Sequence, residues 1–101
     1  MKEEENIKEG NCYCFNDPTR PLYRKIGKTS KDEEDLKKQY IPRYMPKGIK
    51  MIQWIKFDNS KLAEDHIFEK LKQYRLGKTE WFEFDESMDI DVFINGIFNK
   101  Y

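Results

Sequence analysis

The segment Leu22-Tyr23-Arg24-Lys25-Ile26-Gly27-Lys28-Thr29 constrains the fold more than any other stretch of this chain. Apolar residues flank the basic pair Arg24-Lys25, and the run Leu22 to Ile26 reads as a short β-strand leading into a glycine. Upstream, Gly10 introduces Asn11-Cys12-Tyr13-Cys14-Phe15, a second β-prone run. Between them lies Asn16-Asp17-Pro18-Thr19, where Asn and Asp cap their own backbone and Pro presets φ. Two strands joined by such a turn predict an antiparallel hairpin. The second strand is expected to end at Gly27, bringing bare backbone, Lys28 and Thr29 to one place, a combination that suits a phosphate.

The elements after the hairpin follow from caps and periodicity. Thr29-Ser30 ahead of Asp32-Glu33-Glu34-Asp35 predicts a helix start, with acids where the dipole favours them. That helix carries Leu36 to Tyr40 and is expected to stop before Pro42, leaving a loop over 43–48. Ile49 to Phe57 reads as a third strand. Asp58-Asn59-Ser60 offers caps for a helix from Lys61 to Arg75, with Ala63, Ile67, Leu71 and Tyr74 on one stripe and Gly77 at its end. Glu80 to Phe84 is a short aromatic strand or extended segment. Asp85 or Ser87 then caps a final helix whose Ile90, Phe93, Ile94, Ile97 and Phe98 share a face. The order β-β-α-β-α-(β)-α predicts an α+β fold, a small, mainly antiparallel three-stranded sheet flanked by helices. Residues 1–9 are charged and aperiodic, a flexible lead, and 10–101 form a single domain.

A chain of 101 residues with 15% aromatic content has room and material for one core. No apolar run approaches the roughly 20 residues that span a bilayer. The acidic start, Met1-Lys2-Glu3-Glu4-Glu5, lacks the apolar stretch of a secretory signal. The expected setting is intracellular, cytoplasmic or nuclear or virus-associated, and not secreted. Cys12 and Cys14 lie at i, i+2, and the single histidine, His66, belongs to another element. Two cysteines cannot close a zinc site, so small buried thiols are expected. Formal net charge is zero but uneven. From Arg20 to Lys50 ten basic residues meet four acids, whereas Glu80 to Asp91 holds six acids and no base. The basic half is either an ordinary solvated surface or a face that attracts a polyanion.

Gly27-Lys28-Thr29 invites comparison with a phosphate-binding P-loop. That loop needs a second glycine five residues before Gly27, and Leu22 stands there. A different set of motifs uses more of the chain. Gly10-Asn11-Cys12-Tyr13, then Lys25-Ile26-Gly27-Lys28-Thr29, resembles the paired strand motifs of the GIY-YIG endonuclease superfamily. It is closest to a branch found among phage, bacterial and large-virus proteins. That branch continues with a helix carrying L-x-x-R, a strand, a helix with a glutamate and a terminal E-W-F. Here these are Leu36-Lys37-Lys38-Gln39, Ile49–Phe57, Ala63-Glu64 and Glu80-Trp81-Phe82. The resemblance spans residues 10–84.

It implies divalent-metal-dependent hydrolysis of a DNA phosphodiester, with Mg²⁺ or Mn²⁺ as cofactor and DNA as partner. Glu64 would be the one metal ligand, with water and substrate oxygens completing the shell of a hard cation. Tyr13 would position or deprotonate the attacking water. Lys25 stands where the family has a second tyrosine and is a candidate general base. Gly27, Lys28, Lys38 and Arg24 are candidates for phosphate contact. The arginine of L-x-x-R falls on Gln39, which cannot clamp a phosphate. Arg43, one turn on, or Lys38 would have to replace it. The histidine often found a turn after the glutamate is absent, since Phe68 stands there. With no separate targeting domain expected, selectivity would come from this domain, a homodimer or a protein partner. Two alternatives use the same fold: a module that binds DNA with little or no catalysis, and a protein-interaction domain presenting its acidic Glu80–Asp91 segment.

Overall fold

The computed structural model describes residues 9–44 and 50–100, with the backbone alone for 39–44. The expected hairpin is its centre. Strands β1 (Gly10–Asn16) and β2 (Tyr23–Thr29) run antiparallel, with Tyr13 opposite Gly27 and Cys14 opposite Ile26. The connecting turn is built on Asp17, which is 1% exposed. Its carboxylate accepts from the Thr19 amide (2.9 Å), the Thr19 hydroxyl (2.7 Å) and Arg20 Nε (2.8 Å). Burial pushes the Asp17 carboxyl up, but the hydrogen bonds from Thr19 and Arg20 outweigh it and hold it below its ordinary value.

Helix α1 (Glu33–Tyr44) opens on Asp32, whose side chain accepts from the Asp35 amide at 2.8 Å, rather than on Thr29 or Ser30. It also continues through Pro42, where a stop was expected. The proline lies two residues from the helix end, so little ladder follows the missing N–H, and its bias against helix in the preceding residue is overridden. Strand β3 (Met51–Phe57) pairs antiparallel with β1, with a bulge at Cys14/Phe15. The expected loop residues 45–48 and Ile49 lie outside the described residues.

Helix α2 (Ser60–Lys70) is capped by Asn59, which accepts from the Leu62 amide at 3.1 Å. It is shorter than expected, because a 3₁₀ turn (Lys72–Tyr74) takes over its last residues. Gly77, with φ +61°, serves the turn beyond and not the helix end. Strand β4 (Trp81–Glu83) then pairs antiparallel with β2, so the sheet has four strands in the order β3-β1-β2-β4 rather than three. Helix α3 (Ile90–Asn99) is capped by Asp89 rather than by Asp85 or Ser87, which bond to each other at 2.9 Å.

Strand alternation separates two cores. Cys12, Cys14 and Ile26 point to α2 and α3 and pack with Ala63, Ile67, Leu71, Ile94 and Phe98. Full burial of a side chain such as Ile67 contributes about 2 kcal/mol. Both cysteines are buried as expected. Tyr13 and Phe15 point the other way, where Leu36 of α1 seals them with Met51 and Trp54. That cluster covers the β1–β3 half of its face. Tyr23, Lys25 and Trp81, on the β2–β4 half, are only partly buried. Among the described residues no helix is long and apolar enough to cross a membrane.

Candidate active site

The pairing of Tyr13 with Gly27 aims the tyrosine ring across β2, and Lys25 emerges on the same face two residues earlier. The chain returns just before β4, where the Glu80 carbonyl accepts from the Ile26 amide at 2.9 Å and pins Glu80 beside β2. Glu80 Oε1 then accepts from the Tyr13 hydroxyl at 3.3 Å and from Lys25 Nζ at 2.5 Å. These groups meet above Gly27. A Cβ there would lie 2.7 Å from the Tyr13 hydroxyl and 2.8 Å from Glu80 Oε1, closer than any side chain tolerates. The glycine is therefore needed for close approach, not for a turn. Its φ is not positive, and β2 continues past it to Thr29 instead of ending at it.

Glu64 comes from the opposite side of the sheet, beside Cys12. Burial pushes its carboxyl up, the charge of Glu80 pushes it further, and Lys28 and Lys61 oppose both. Burial first and Glu64 second push the Cys12 thiol up to about 12, so the thiol is inert. The two faces meet at an edge. Among the described residues β4 pairs with β2 only from Tyr23 to Lys25, so the outer edge of β2 beyond Ile26 carries no strand. Lys28, opposite Cys12 and exposed, lies at this edge on the Glu64 side. Tyr13, Lys25 and Glu80 lie on the other side. A phenol, two ammonium groups and two carboxylates thus gather around the bare end of β2.

Residues 10–97 match the family model described as the T5orf172 domain. The chain belongs to that family. The match runs from the first residue of β1 into the last turn of α3, so it includes every element that builds the site. It is compatible with a nuclease-like domain. No curated protein and no solved structure matches the chain.

In this T5orf172 domain the residues singled out from the sequence divide into groups. Tyr13, Lys25 and Gly27 come together with Glu80, and Glu64 is coupled through charge to Glu80 and to Lys28. Lys38 is exposed on α1. Arg43 and Gln39 belong to the backbone of α1, and their side chains lie outside the described ones. His66 is partly buried on α2. Arg24 must be corrected. Strand alternation turns it to the Cys14 face, where it is 8% exposed. Its guanidinium donates to Asp91 Oδ1 (3.0 Å) and to the carbonyls of Pro21 (2.7 Å) and Tyr23 (2.8 Å). It is a strut between β2 and α3, unavailable to a polyanion.

The sequence shows the motif Glu80-Trp81-Phe82 but does not by itself place Glu80 among the site residues. The signal that could have found it was the possibility of pairing Glu80–Phe84 with Leu22–Ile26. Antiparallel pairing there brings Glu80 opposite Ile26, with its carboxylate reaching the neighbouring Gly27.

Proposed function

We propose that this T5orf172 domain is a divalent-metal-dependent DNA endonuclease or nickase using GIY-YIG chemistry. The observation that carries it is the cluster of Tyr13, Lys25 and Glu80 over Gly27, with Glu64 electrostatically coupled to it.

The carboxylates suit a hard cation. The charge of Glu80 disfavours ionised Glu64, and a cation beside Glu64 would relieve that repulsion. Among the described residues no group of three or more His, Cys, Asp or Glu is placed to hold a metal. One or two carboxylates, with water and substrate oxygens, is the usual holding of Mg²⁺. Glu64 would hold the ion, with Glu80 the nearest supporting carboxylate in charge terms. Bound there, Mg²⁺ or Mn²⁺ would supply positive charge for the phosphoryl oxygens and the leaving group.

The chain's own residues then have distinct tasks. The Tyr13 proton is committed to Glu80, so toward a water the hydroxyl acts as an acceptor, the polarity needed to hold an attacking water. Lys25 acts as a donor to Glu80 in this arrangement, and a base role requires Nζ to present a lone pair, not a proton, to the attacking water. Lys28, exposed at the strand edge, would meet the phosphate backbone.

Supercoiled plasmid incubated with Mg²⁺ or Mn²⁺ tests the proposal. Wild type should nick it and a folded Glu64→Ala variant should not. Nicking that survives Glu64→Ala, or none by wild type across metals and DNA forms, rejects it. A second reading, a DNA-binding module with little catalysis, is favoured by the Lys25–Glu80 ion pair and by Gln39 in place of an arginine. It predicts salt-sensitive binding, unchanged by Glu64→Ala, with no nicking.

A further inference from the structure

Arg20 is held in a way that a loop strap does not require. Its Nε donates to buried Asp17 at 2.8 Å, which anchors that edge of the guanidinium. Its Cζ lies within cation–π reach of two rings at once, 4.5 Å from the Tyr23 centroid and 4.9 Å from the Trp81 centroid. Yet the side chain is 48% exposed. A guanidinium has five N–H donors. Among the described residues the four terminal ones have no hydrogen-bond partner. A planar cation is thus preorganised on its Nε edge and faces, with its terminal fork left for a ligand.

Its position relates it to the candidate active site. Trp81 is the β4 partner of Lys25, and Tyr23 lies two residues before Lys25 on β2, so both rings share the face on which Lys25 meets Glu80. Two residues of strand separate Tyr23 from Lys25 by about 7 Å. One strand of DNA carries a phosphate for about every 3.4 Å of helix axis. A backbone crossing Lys25 would present its next one or two phosphates at Arg20.

We propose that Arg20, seated on Tyr23 and Trp81 and aligned by Asp17, is a phosphodiester-binding subsite for the DNA strand flanking the scissile position. This rests on the DNA reading above. The fork geometry matches two oxygens of one phosphate, which a lysine cannot do. The subsite supplies a fixed cation on a site whose α1 position 39 is a glutamine.

The test is binding of a short fluorescent DNA duplex by the full chain, titrated over a range of salt in the presence of a chelator, with plasmid nicking measured separately. Arg20→Ala should weaken binding at low salt about tenfold and lower the salt slope by about one. Arg20→Lys should recover part of the affinity. Lys72→Ala, removing equal charge from the α2 side of the sheet, should change neither appreciably. Circular dichroism shows whether each variant is folded, and if Arg20→Ala is not, Arg20→Lys and Trp81→Ala decide, each expected to weaken binding. If Arg20→Ala lowers the melting temperature but leaves affinity and salt slope at wild-type values, Arg20 is a strap and the subsite is overturned. If wild type binds DNA without nicking it, the nuclease reading fails while the Arg20 effect still supports the subsite. If wild type binds no DNA at low salt, both fail.

Discussion

The Tyr13 hydroxyl donates to the Glu80 carboxylate at 3.3 Å, joining the middle of the first strand to the approach to the last across 67 residues. The bond passes over Gly27, where only a missing Cβ leaves room for it.

Gly27→Ala therefore tests the site's geometry directly. The new methyl would meet the Tyr13 hydroxyl at 2.7 Å and the Glu80 carboxylate at 2.8 Å. Tyr13 is 1% exposed and its ring cannot swing away, so one of the two must be displaced. Plasmid nicking should fall at least about tenfold, since small displacements of reacting groups are costly. Overpacking should lower stability by about 1–3 kcal/mol in urea denaturation. Undiminished nicking would detach this cluster from catalysis.

Glu64 makes a pH-dependent contribution of predictable sign. Burial, and next the charge of Glu80, raise its folded-state pKa above the unfolded value. The folded state then holds the proton more tightly, so this contribution is fully present below the unfolded pKa and is lost as pH rises through the folded pKa. Comparing urea midpoints of wild type and Glu64→Gln against pH should show the variant gaining relative stability as pH rises through that window. Glu80→Gln should reduce the shift and narrow the window. A flat difference between wild type and Glu64→Gln would show that the environment of Glu64 is not as described.

Asp17 has the opposite sign. Burial raises its carboxyl, but hydrogen bonds from Thr19 and Arg20 win, and the folded pKa lies below the unfolded one. Its contribution is present above the unfolded pKa and lost as pH falls through the folded one. Asp17→Ala leaves the Thr19 amide and hydroxyl and Arg20 Nε without this acceptor. It should cost about 1–3 kcal/mol at neutral pH, shrinking in acid. Urea unfolding at neutral and acid pH measures both, and an equal loss at each would contradict the assignment.

Arg24 and Lys28, four residues apart on β2, should behave oppositely. Arg24→Ala breaks contacts to Asp91 and two carbonyls and should lower stability by about 1–3 kcal/mol, with little effect on DNA affinity in the folded protein. Lys28→Ala removes an exposed cation and should weaken low-salt DNA binding severalfold, with a change in stability under about 0.5 kcal/mol. Thermal melts and binding titrations on both variants separate the roles, and equal effects on binding would return Arg24 to the DNA face.

Local signals explain why most of the fold was legible. The Asn16–Thr19 turn between β-prone segments set the hairpin, and the Ala63-Ile67-Leu71 stripe marked the helix that covers it. Boundaries were less legible because they are settled by competition between neighbours. Asp89, Asp85 and Ser87 are all competent caps, and the one used is the one that lets Ile90, Ile94 and Phe98 reach the core. Glu80 to Phe84 carried strand character but no local sign of where it would pair.

The sequence by itself determined the hairpin, the α+β class, and the two-faced alternation that separates Cys12 and Cys14 from Tyr13. These depend on period and on turn and cap chemistry, which act over a few residues. Only the tertiary structure decided that β4 joins the sheet beside β2, that Glu80 thereby reaches Tyr13 and Lys25, that Arg24 is buried against Asp91, and that Arg20 lies across Tyr23 and Trp81. Each is a contact between a strand and a segment far along the chain or across a turn. Such contacts follow from which edge of the sheet remains free once β1 has paired with both β2 and β3. That free edge is the one where β4 docks and where Lys28 stays exposed.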